Sequence, residues 1–179
     1  SSSQSLREHN WSCSLWVGRW YSFPSSLPLE ILEGIENQIP SFRGLKFSGT
    51  DLRDLGQCVC YCRPHGWSLL YGVDEHLLGA VVLGVNGAVG STYNYLGNIM
   101  NSMLTAFEKG DIAQARNLQV CLTPLNSANP DCFSLPMNKQ LMSEFSGLHM
   151  GPPRLPLLPC PPDHAKSIAQ KLRDVLAEQ

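Results

Sequence analysis

Between Phe42 and Ser91 short apolar runs alternate with amphipathic stretches, and this alternation leaves the chain few folds to choose from. Phe42-Arg43-Gly44-Leu45-Lys46-Phe47-Ser48 reads as a strand, and Thr50-Asp51 then caps a helix carrying Leu52, Leu55 and Val59. That helix runs into the turn residues Arg63-Pro64-His65-Gly66, after which Trp67 to Val73 reads as a second strand. It ends in Asp74-Glu75. A helix through Leu77, Leu78, Val81 and Val82 leads to Gly84, and Gly87-Ala88-Val89-Gly90-Ser91 makes a third short strand. Strand, helix, strand, helix, strand at this spacing predicts βαβ units and a parallel sheet, an α/β fold.

The flanks are less regular. Residues 1–27 are rich in serine and tryptophan, and Trp11, Trp16 and Trp20 follow no helical or strand period, so a divergent, poorly ordered segment is expected there. Residues 28–121 hold the strand–helix units, preceded by a helical face of Ile31, Leu32, Ile35 and Ile39 that Pro40 stops. A long helical stretch from Tyr93 to Val120 breaks at Gly110-Asp111. Residues 122–136 contain Pro124, Pro130 and Pro136 and read as an irregular loop. Residues 137–179 form a C-terminal helical segment, closed by a helix with the stripe Ala165, Ile168, Ala169, Leu172, Val175 and Leu176 and with Asp163 as its N-cap.

Composition narrows the function. The chain has 179 residues, 43% of them hydrophobic and 16% charged, enough for one core of domain size. A net charge of −2 offers no basic face to nucleic acid or to an anionic membrane. No apolar run is long enough to cross a bilayer, and the sequence opens on Ser1 without a secretory leader, so a cytoplasmic protein is expected. Cys58, Cys60, Cys62 and His65 lack the second ligand pair that a structural zinc site needs, and neither metal nor cofactor is expected.

Lys46 stands out because it is a charge inside an apolar strand. An ammonium in that place either reaches water along its stem or loses its proton and becomes an amine nucleophile, the chemistry of a Schiff base. The strand ends decide between these readings. Lys46 with Ser48, Asp74 with Glu75, and Ser91 with Thr92 all lie at carboxyl ends of strands, where barrels of this kind build their active sites.

Gly44-Leu45-Lys46-Phe47-Ser48, Gly72-Val73-Asp74-Glu75, Gly87-Ala88-Val89-Gly90-Ser91-Thr92-Tyr93-Asn94 and Met150-Gly151-Pro152-Pro153-Arg154-Leu155-Pro156-Leu157 occur in order. Together they make the chain resemble the sialic acid aldolases (N-acetylneuraminate lyases) of the dihydrodipicolinate synthase superfamily. The resemblance implies a partial TIM (β/α)8 barrel, covering about the last three strand–helix units and the C-terminal helices. It implies a class I aldolase that splits N-acetylneuraminate into pyruvate and N-acetylmannosamine, with these small molecules as partners and a homotetrameric assembly. On the family pattern Lys46 forms the Schiff base, and Ser48 holds the pyruvate part of the substrate. Gly72, Asp74, Glu75 and Ser91 hold the sugar hydroxyls. Tyr21, in Tyr21-Ser22-Phe23-Pro24, is the candidate proton donor.

The chain also departs from the family. A complete barrel takes about 250 residues, and the family's carboxylate-binding Gly-Ser-Thr-Gly-Glu segment is missing. A fragment, an alternatively spliced product or an incomplete gene model is therefore expected, unstable or inactive when expressed alone. Two other readings stay open: another pyruvate-dependent aldolase of the superfamily, and a non-catalytic truncated product that docks on full-length subunits.

Overall fold

The computed structural model of the chain describes residues 13–17, 32–120 and 135–177. Four parallel strands form one sheet in the order β1 (Cys13–Val17), β2 (Phe42–Phe47), β3 (Ser68–Tyr71) and β4 (Gly87–Ala88). Each strand pairs with the next one in sequence, so the sheet is an arc of a barrel that does not close among the described residues.

Helices fill the connections as the alternation predicts. A short α1 (Ile35–Gln38) precedes β2, α2 (Leu52–Cys62) joins β2 to β3, and α3 (Leu77–Leu83) joins β3 to β4. Local chemistry sets their ends. The Asp51 carboxylate accepts from the Arg53 and Asp54 amides at 2.8 and 3.3 Å, satisfying two N–H groups that the first turn leaves unpaired. Gly84 ends α3 in the left-handed region at φ 102, which its missing Cβ permits. After β4 come α4 (Tyr93–Glu108) and α5 (Ile112–Val120), parted at Gly110 as the sequence predicts, then α6 (Leu135–Ser146) and α7 (Pro162–Ala177).

The two faces of β2 have different tasks. Leu45 and Phe47, each 2% exposed, point outward into a core shared with Leu55, Cys58, Val59, Leu69 and Tyr71 from α2 and β3. Lys46, one residue out of step, points to the opposite face, toward the inside of the arc. A second core packs Leu96, Met100 and Met103 of α4 against Ala115 and Leu118 of α5, Met137 and Leu141 of α6, and Ala165, Ile168, Ala169 and Leu172 of α7.

Several sequence expectations need correction. The N-terminal segment contributes a strand: Cys13–Val17 pairs with β2, with Trp16 opposite Lys46. Its identity as a strand comes from that pairing rather than from any local period. The other residues of 1–27, Tyr21 among them, lie outside the described residues. So do residues 122–134, but Leu135 and Pro136 begin α6, because a proline in the first helical turn forgoes an N–H that has no acceptor there. Asp163 is a first-turn residue of α7 rather than its cap; the Pro161 carbonyl accepts from the His164 and Ala165 amides at 3.1 and 3.2 Å. Ahead of β2, Leu32 is helical and buried and Ile35–Gln38 is helical, the two parted by Gly34 at φ 75, while Ile31 lies outside the described residues.

Candidate active site

Lys46, Ser48 and Gly72 come together at the carboxyl ends of β2 and β3. A Cβ on Gly72 would collide with Ser48 Oγ and lie 2.8 Å from Lys46 Cε, so the half-buried lysine stem and the serine hydroxyl occupy the space that a side chain at position 72 would need. The Gly72 amide donates to the Phe47 carbonyl at 2.8 Å, which locks this approach by continuing the ladder past the end of β3. Tyr71 supports it from the other face. Its hydroxyl donates to the Gly49 carbonyl at 3.1 Å and its ring stacks on Phe47 at 6.3 Å. Burial, with the Glu75 charge adding to it, pushes the Tyr71 hydroxyl up to about 12, so it stays a donor at neutral pH.

Asp74 forms the second part of the site, and its carboxylate turns toward the loop after β4. Oδ2 accepts from the Thr92 amide at 2.9 Å and from the Thr92 hydroxyl at 2.6 Å. Gly90 makes room for it: a Cβ there would overlap the carboxylate, with Oδ2 at 2.6 Å. Asp74 is 6% exposed and Thr92 is 1% exposed, whereas Ser91 between Gly90 and Thr92 is exposed. Asp74 thus fixes the backbone that presents Ser91. Its Oδ1 and the Tyr93 hydroxyl are buried without a well-aligned hydrogen-bond partner among the described residues.

Burial holds the Asp74 carboxyl above the usual carboxylate range. The two bonds from Thr92 oppose the rise, the Glu75 charge adds to it, and the nearby Tyr93 hydroxyl lowers it slightly. A raised carboxyl favours the protonated form in the folded state, so its contribution to stability is present at acid pH and is lost as pH rises through the folded value. Asp74→Asn keeps an oxygen for Thr92 and cannot ionise. Urea midpoints measured from about pH 4 to neutrality are expected to fall less steeply in Asp74→Asn than in the parent chain.

The other titratable groups sort themselves by burial. The Tyr93 and Tyr95 hydroxyls are pushed well above the usual phenol range, and Tyr95 donates to Asn138 Oδ1 at 2.7 Å, tying α4 to α6. Cys58 and Cys62 lie on the buried face of α2, their thiols pushed up to about 12 and about 11, while Cys60 is on the exposed face of the same helix. Three thiols so divided do not converge on one ion, and burial moves the two inner ones away from the thiolate form that ligation requires. His65 stacks on Trp67 at 4.4 Å.

Gly90 and Thr92 lie inside the sequence motifs, which do not show what they do, and Gln119 lies outside them. Gly90 could have been found as a glycine beside a hydroxyl residue at a strand end. Gln119 carries no local signal, since its partners are 41 and 45 residues away.

A parallel arc with an inward lysine at the end of one strand and an acidic, hydroxyl-bearing rim at the ends of the next two is part of a (β/α) barrel with a polar mouth at its strand ends. The chain belongs to the Dihydrodipicolinate synthetase family, which it matches over residues 20–175. It is 62% identical over 146 residues to the N-acetylneuraminate lyase of Danio rerio, covering 81% of this chain and 48% of the relative. It is 48% identical to that of Homo sapiens, covering 82% of this chain and 46% of the relative. Among solved structures, the N-acetylneuraminate lyase (sialic acid aldolase) of Aliivibrio salmonicida superposes with a TM-score of 0.74 at 32% identity, covering 83% of this chain and 49% of that one. The chain therefore spans about half the length of the curated relatives it matches. Among the described residues no helix is long and apolar enough to cross a membrane.

Proposed function

We propose that this chain supplies the amine-bearing half of an N-acetylneuraminate lyase, a class I aldolase. The packing of Lys46 Cε and Ser48 Oγ against the bare backbone of Gly72 carries the reading, because it holds an amine and a hydroxyl beside each other at a strand end. The lysine amine adds to the ketone carbon of open-chain N-acetylneuraminate, and water leaves as the iminium forms. The bond between the next two carbons of the chain then breaks: its electron pair forms the double bond to the iminium carbon, the iminium nitrogen takes up the displaced pair, and the hydroxyl on the departing carbon gives up its proton. N-Acetylmannosamine departs as the aldehyde, and the pyruvate half stays on Lys46 as an enamine. Protonation at carbon and hydrolysis by one water release pyruvate and restore the amine. Tyr21 is the candidate for moving the proton, Ser48 for holding the pyruvate part, and Gly72, Asp74, Glu75 and Ser91 for holding the sugar, with Asp74 also setting the loop that carries Ser91.

The reading extends to a cytoplasmic homo-oligomer, a tetramer on the family pattern. Leu155 and Leu158, 85% and 74% exposed, supply apolar surface that a subunit contact would cover. The test is release of pyruvate from N-acetylneuraminate by the chain alone and by the chain mixed with the first half of the Danio rerio relative. Cleavage is expected only in the mixture. Condensation of pyruvate with other aldehydes but not with N-acetylmannosamine would move the assignment to another aldolase of the family, and association without turnover would favour a non-catalytic role.

A further inference from the structure

Gln119 lies on α5, outside the rim described above, yet its side chain is 8% exposed and reaches the base of that rim. Its Oε1 accepts from the Leu78 amide at 2.7 Å and its Nε2 donates to the Asp74 carbonyl at 3.2 Å. Leu78 is in the first turn of α3, where the N–H has no acceptor within the helix. Asp74 opens the single 3-10 turn Asp74–His76 that bears Glu75. One amide thus satisfies the Leu78 donor and gives the Asp74 carbonyl a second partner beside the Leu77 amide, which closes the turn. It has both functions at once, which neither a carboxylate nor an apolar side chain can match.

The connection continues beyond Asp74. With its backbone held by Gln119, Asp74 receives the amide and hydroxyl of Thr92, and Thr92 adjoins Ser91. We propose that Gln119 is a positioning residue for the sugar-binding rim: it fixes Asp74, and through Asp74 the loop that presents Ser91, without touching substrate. The sugar part of this proposal rests on the lyase reading. The amine and the pyruvate end at Lys46, Ser48 and Gly72 are built from β2 and β3 and do not depend on Gln119. The fold does not depend on it either, because Ala115 and Leu118 anchor α5 in the helical core at 0% and 6% exposure.

The test uses the full chain with Gln119→Leu, and with Gln119→Met should the leucine variant not fold. Amide hydrogen exchange at Thr92 and Leu78 is expected to speed up about tenfold or more, while borohydride capture of pyruvate on Lys46 keeps its original rate. Gln119→Glu separates the two bonds, since it keeps an acceptor for Leu78 but loses the donor to Asp74. It is expected to speed exchange at Thr92 and to leave Leu78 protected, a split that simple loss of packing would not produce. N-Acetylmannosamine binding, followed by saturation-transfer NMR, is expected to weaken about tenfold in Gln119→Leu. Unchanged Thr92 exchange in a folded variant would overturn the proposal. Absence of sugar binding in the parent chain would count against the lyase reading alone, because Thr92 exchange decides the positioning role by itself.

Discussion

Lys46→Arg is expected to abolish turnover in the complemented chain, by at least about a thousandfold in the rate of pyruvate release, while the unfolding transition barely moves. Arginine keeps the charge and much of the apolar stem, so the packing beside Gly72 changes little. Its guanidinium is not deprotonated in proteins and cannot add to a ketone. Charge and chemistry are thereby separated. A lysine that merely reached water from a strand end would tolerate this change, and pyruvate release within about tenfold of the parent would rule out the amine mechanism.

Gly90→Ala is expected to be the most damaging small substitution in the rim. The new methyl would overlap the Asp74 carboxylate, which is itself held by Thr92 and cannot retreat without breaking two hydrogen bonds. Overpacking of this kind costs about 1–3 kcal/mol, and a buried donor left without its acceptor costs a further ~1–3 kcal/mol. Urea unfolding should show the loss as a lower midpoint. The double variant Gly90→Ala with Asp74→Gly should recover part of it, because the overlap is removed. Equal midpoints for the parent and the single variant would mean that the Gly90–Asp74 contact does not hold the loop.

Much of the architecture was legible because its signals are local. Asp51 caps α2, Gly84 ends α3, and the alternation of Leu45 and Phe47 with Lys46 aims the lysine away from the helices. The barrel class and the candidate residues at strand ends follow from those signals and from the motif order. What escaped is non-local. Cys13–Val17 is a strand because β2 lies beside it, and its own sequence has too short a run to show a period. The bond from Thr92 to the Asp74 carboxylate, 18 residues back, carries no local signal, and Gln119 reaches Asp74 from farther still. Pairings of this kind are set by how the elements pack, which no short window of sequence records.

Peptide mapping of the chain after incubation with pyruvate and borohydride tests the central claim most directly. A reduced pyruvyl adduct on Lys46, formed more slowly than in a full-length relative and absent from Lys46→Arg, is the predicted result. An adduct spread evenly over Lys109, Lys139, Lys166 and Lys171 with none favouring Lys46 would contradict the account.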